Sequence, residues 1–101
     1  MSAHRALIAQ VITKLSPARV TVVAAHSKGW FSATFAGERH EFTFLVEGEG
    51  AVHAAHSLQR TITSEEFDIN GYLVADILIN NLSADETSAR IDIEALTVKV
   101  D

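Results

Sequence analysis

The residues in this chain that could do chemistry are few, and most are histidines or carboxylates. His53-x-x-His56 sets two imidazoles three positions apart, a spacing that puts both on one face of a helix. Ala54 and Ala55 lie between them and no third ligand is implied, so they read as surface histidines and no metal is expected. His26 and His40 fall on separate strands, where only the fold could bring them together. His26-Ser27 are adjacent, so on an extended strand they point apart and cannot pair as base and nucleophile. Asp76 is the one charge inside the apolar run 72–79. It could serve as a general base or ligand hook on an open sheet face, but alternating strands produce such outward acids routinely. Gly48-Glu49-Gly50 stands before a helix as a phosphate loop would, yet the third glycine is missing and Glu49 opposes an anion. No cofactor is expected, and the chain shows no nucleophile elbow, triad spacing or P-loop motif.

The bulk properties narrow the function further. A chain of 101 residues, 48% hydrophobic and 21% charged, is expected to be a single domain spanning 1–101. It has no cysteine, which removes disulfides, thiolate nucleophiles and cysteine metal sites and suits a reducing, cytoplasmic setting. Thirteen acids against eight bases give a net charge of −5, so neither nucleic acid nor an anionic membrane is an expected partner. Gln10, Thr13 and Lys14 interrupt any signal-peptide core, so the N-terminus is not read as an export signal. The sequon Asn81-Leu82-Ser83 is accordingly expected to be idle.

The elements that would position these residues can be read in order. Residues 2–15 form an amphipathic helix with Leu7, Ile8, Val11, Ile12 and Leu15 in one stripe, capped by Ser2 and stopped at Ser16-Pro17. Three strands follow over 19–27, 30–36 and 40–47, with turns at Ser27-Lys28-Gly29 and Gly37-Glu38. Residues 51–62 suit a second helix through Val52, Ala55, Leu58 and Ile62. Asn70-Gly71 favours a tight hairpin turn, folding a short strand at 66–69 back onto a strand over 72–80. Residues 89–100 make the last strand, whose alternation slips after Glu94-Ala95 and so predicts a β-bulge or a change of partner there. The result is an α+β fold, a two-layer sandwich of about five mainly antiparallel strands with two helices on one face, in the order α-β-β-β-α-(β)-β-β.

Helix–three strands–helix resembles the element order of the double-stranded-RNA-binding domain, which grips phosphates with a basic cluster opening its second helix. Here residues 48–53 contain Glu49 and neither lysine nor arginine, so RNA binding is not implied.

The helices should cover Phe31, Phe35, Phe42, Phe44, Leu73, Ile77 and Ile91. The opposite face then carries Trp30, Leu45, Tyr72, Val74 and Leu78 among Ser32, Thr34, Thr43 and Asp76. An apolar patch on an open sheet marks an interface or a ligand groove. Two functions are therefore expected to compete. One is an oligomeric interaction module, most simply a homodimer, working through Trp30, Thr43, Leu45, Tyr72, Val74, Asp76 and Leu78. The other is a small-molecule-binding protein or small enzyme with a pocket around Asp76.

Overall fold

The computed structural model describes residues 2–100. Among them the chain forms helix α1 (Ala3–Leu15), strands β1 (Arg19–Phe31) and β2 (Ala36–Glu47), helix α2 (Ala51–Thr61), a 3₁₀ turn (Ile62–Ser64), and strands β3 (Tyr72–Ala84) and β4 (Ser88–Lys99). The strands make one antiparallel sheet in the order β1-β2-β4-β3, with both helices on one face. This is the expected α+β class, with four strands rather than five.

Helix α1 forms where its sequence marks it. The Ser2 hydroxyl accepts the Arg5 amide at 3.3 Å, and Ala3, Leu7, Val11 and Leu15 are wholly buried at four-residue spacing. Helix α2 starts from Gly50 in the left-handed region, φ 78°, and buries Ala51, Ala55 and Leu58. Between helices and sheet lies a core of Phe42, Phe44, Val46, Ile77, Ile91 and Ile93. In β4 the inward row Ala89, Ile91, Ile93, Ala95 and Thr97 alternates without a break, so the bulge expected near Glu94-Ala95 does not occur. Leu96 and Val98 belong to the other face, which accounts for the apparent slip.

The first sheet region corrects the expected meander. Ser27-Lys28-Gly29 does not turn; β1 runs straight through it, with Gly29 opposite Glu38. Gly37 and Glu38 likewise belong to β2, as does Arg39. The reversal is at Ser32–Phe35, where the Ser32 amide donates to the Phe35 carbonyl at 2.7 Å and the Phe35 amide donates to the Ser32 hydroxyl at 3.0 Å. A serine side chain here does what a glycine or proline would advertise. Two long strands therefore replace three short ones.

The phenylalanines divide accordingly. Phe42 and Phe44 are buried, but Phe31 is 86% and Phe35 59% exposed. Phe31 keeps the helix-side parity, yet it pairs with Ala36, whereas α1 begins only at the level of His40. Four residues of strand, roughly 13 Å, carry it beyond the cover of the helix. Phe35 lies in the turn itself.

Residues 65–71 are also partly corrected. The Asn70-Gly71 turn forms: the Tyr72 amide donates to the Ile69 carbonyl at 3.1 Å, and Gly71 has φ 84°. Because Asn70 keeps a negative φ, the geometry is that of a type II turn rather than the mirror-image hairpin turn. Only Ile69 bridges back, to Tyr72, so no strand forms over 66–69. The physical reason is Gln10 of α1. Its Nε2 donates to the Asp68 carbonyl at 2.6 Å and its Oε1 accepts the Asp68 amide at 3.0 Å, occupying the backbone groups a strand partner would use. Lys14 adds an ion pair to Glu65 at 3.1 Å and lies 5.0 Å above the Phe67 ring.

Candidate functional site

The face of the sheet away from the helices is built by register. Reading across the strands from β1 to β3, Trp30, Gly37, Val98 and Leu73 form one row, and Lys28, Arg39, Leu96 and Asp76 the next. His26, Glu41, Glu94 and Leu78 follow, then Ala24, Thr43, Asp92 and Asn81, then Thr21, Leu45, Arg90 and Ser83. Five of the seven expected residues, Trp30, Thr43, Leu45, Asp76 and Leu78, thus share this open face.

Tyr72 and Val74 do not. Val74 pairs with Thr97, which is wholly buried beneath the helices, and both Tyr72 and Val74 pack against the core. Leu73 takes their place outside at 60% exposure, although it was expected inside. The cause is in β3, whose register against β4 shifts at Ala75 and again at Asn80. Each extra residue turns the strand over by one parity. Ile77 therefore points inward as expected, while Leu73, two turns of the pleat earlier, points out.

Apolar surface consequently gathers at one end of the open face rather than over its middle. Trp30, Val98 and Leu73 cross the sheet in one row, Leu96 adjoins them, and exposed Phe31 and Phe35 lie at the same end. The Trp30 indole packs over Gly37, and its Nε1, though buried, has no hydrogen-bond partner. The middle of the face is charged, with Glu41 and Glu94 directly opposite one another. Among the described residues the only ion pairs are Lys14–Glu65 and Arg19–Glu47, so neither of these acids is paired within the chain.

One polar constellation sits further along. Asp92 accepts from the Thr43 hydroxyl at 2.7 Å and from the Asn81 amide at 3.3 Å, and chiefly the Thr43 bond holds its carboxyl below the ordinary range. Asp76 pairs with Leu96 and is exposed. It lines an open groove of about 680 Å³ between β3 and residues 65–68, with Gln10, Glu65, Glu66 and Asp68 on the other wall.

The histidines sort in a way the sequence reading missed. His53 and His56 are exposed on α2, and among the described residues no three His, Asp or Glu side chains stand together to hold a metal ion. His40, by contrast, is only 1% exposed. Its Nδ1 lies 3.0 Å from Nδ1 of His4, and its Nε2 lies 2.9 Å from the Thr97 hydroxyl, which donates to the Glu38 carbonyl at 3.3 Å. The His4, His40, Phe42 and Phe44 rings follow one another at centroid distances of 4.9–5.8 Å. The parity His40 shares with Phe42, Phe44 and Val46 is the signal that marks it as inward.

Comparison with protein-family models finds no match, and no curated protein matches the chain. No helix among the described residues is long and apolar enough to cross a membrane.

Proposed function

We propose that this chain is an interaction module that assembles with a second copy of itself through the open sheet face. The observation that carries the reading is the uncovered row Trp30, Val98 and Leu73, continued by Leu96. Four strands spaced ~4.8 Å apart and about 40 Å long offer roughly 750 Å² of face, close to the ~800 Å² each partner contributes to a stable interface. Charge also favours a second copy. Lys28 and Asp76 stand at opposite ends of one row, so a two-fold axis along the strands brings each Lys28 toward Asp76 of the other copy. A cytoplasmic setting belongs to the same proposal and is supported by the lack of cysteine.

Sedimentation equilibrium at micromolar concentration tests the reading. A dimer is expected, converted to monomer by Leu73→Asp and unaffected by Glu49→Lys in the loop before α2. A wild type that remains monomeric at these concentrations would sink it.

A second reading, a small-molecule-binding protein or small enzyme, rests on the groove beside Asp76. Its walls are acidic, which favours a cationic ligand. Asp76→Asn would abolish binding of such a ligand, whereas Val98→Asp, on the open face away from the groove, would split the dimer and leave ligand binding in place.

A further inference from the structure

The histidine pair at the N-terminal end of α1 has its protons fixed by its surroundings. The Glu38 carbonyl can only accept, so the Thr97 hydroxyl spends its proton there and must accept from His40 Nε2–H. A neutral His40 then offers a lone pair at Nδ1, and His4 Nδ1–H donates into it across 3.0 Å. His4 keeps its Nε2 free. The chain of hydrogen bonds from Glu38 through Thr97 and His40 to His4 is complete as long as one of the two facing Nδ1 atoms carries no proton.

We propose that the His4–His40 pair is a proton-operated latch, closed when neutral, that fastens the first turn of α1 to the sheet and releases it in mildly acidic solution. A first proton can go to His4 Nε2, which leaves the Nδ1–H donor in place. A second must go to His40 Nδ1, and two N–H groups then face each other at hydrogen-bond distance between buried His40 and half-buried His4. Nothing hydrogen-bonded to His40 is anionic, so the contact opens and His4 swings to solvent. Leu7, Val11 and Leu15 stay buried, so the release is confined to the first turn.

The charged groups around the pair come from each neighbouring element. Glu38 on β2 favours protonation of both rings, His26 on β1 opposes it at His4, Thr97 on β4 is neutral, and Arg5 on α1 is exposed. Burial outweighs Glu38 and holds both histidines below their ordinary value. The sign follows: a lowered folded value means the opened state binds more protons, so the closed latch is favoured above about pH 6.5 and weakens below it.

Amide exchange by NMR reads the latch directly. The amides of Ala6, Leu7 and Ile8 bond back to carbonyls at the start of α1, as the Ala6 amide does to Ser2 at 3.0 Å. Between about pH 7.5 and about pH 5.5 their protection should fall about tenfold beyond the intrinsic effect of pH, while Phe44 and Ile91 keep theirs. The ring nitrogens of His4 and His40 should titrate together over the same range. His4→Phe, which keeps a ring against Phe42, should abolish the pH response, and His56→Ala on exposed α2 should leave it. Should the phenylalanine variant fail to fold, the wild-type ring titrations decide alone. Unchanged protection, or loss spread evenly over helix and sheet, would overturn the proposal. So would one equivalent of zinc chloride at about pH 7.5 shifting both rings, because a metal rather than a proton would then bridge them.

Discussion

Trp30 and Gly37 face each other across the β1–β2 hairpin so closely that a methyl group at Gly37 would sit 3.0 Å from the indole nitrogen. The same methyl would collide with the Thr97 carbonyl of β4, which is backbone and cannot swing aside. Gly37→Ala should therefore destabilise the protein by about 2 kcal/mol or more and shift the Trp30 fluorescence, read from urea melts followed at the tryptophan. Gly29→Ala, with nothing nearer than 3.9 Å, serves as the tolerated control.

Gly71 tests a different constraint. A side chain there meets no atom within 4 Å, so only the backbone angle of 84° resists it. Gly71→Val should cost on the order of 1–2 kcal/mol by thermal melt, with Gly71→Asn restoring part of the loss.

Gln10 substitutes for a strand partner of residue 68, and Gln10→Ala should expose that backbone. The expected outcome is a loss of about 1–2 kcal/mol and faster exchange at the Asp68 amide, with the sheet amides unaffected. Equal loosening everywhere would contradict the clamp.

The two groups of phenylalanines should separate cleanly. Phe44→Ala should cost about 3–5 kcal/mol, whereas Phe31→Ser should stay within about 0.5 kcal/mol. In the dimer reading it is Leu73→Ser, on the open face, that weakens association, visible in sedimentation and absent from melts of the dissociated chain.

Glu41 and Glu94 provide an electrostatic test. The two-fold axis that joins Lys28 to Asp76 also brings these four carboxylates together, a repulsion that costs association. Glu41→Gln should tighten the dimer by about tenfold and reduce its dependence on salt. Weaker association would exclude that axis.

Acid titration should also reveal Asp92. Its depressed carboxyl contributes stability above the ordinary carboxylate range, lost as pH falls through the folded value. Thr43→Val removes the main cause, so the Asp92 signal should titrate at higher pH in that variant.

Much of the fold is legible in the residues. Helix α1, helix α2, Ile91 in β4, and Phe42 with Phe44 all follow from spacing and parity, because there apolar and polar residues separate onto two faces. The stretch 72–79 resists the same reading since both parities are apolar, so nothing in it marks where Ala75 turns the strand over. The Ser27-Lys28-Gly29 turn failed because glycine permits a turn without requiring one, and the actual turn uses serine. His40 was legible by parity, but its partner lies 36 residues away in a helix, where no local pattern points to it.

The two bulges give β3 thirteen residues opposite eleven of β4, and this makes chain length itself a variable. Deleting Ala75 would remove the unpaired residue and straighten the ladder, leaving Tyr72 and Val74 inward and Leu73 outward opposite the same partners in β4. A single-codon deletion there is absorbed without a change of face. In β4, which has no such slack residue against β2, the same deletion would drive every inward side chain beyond it to solvent.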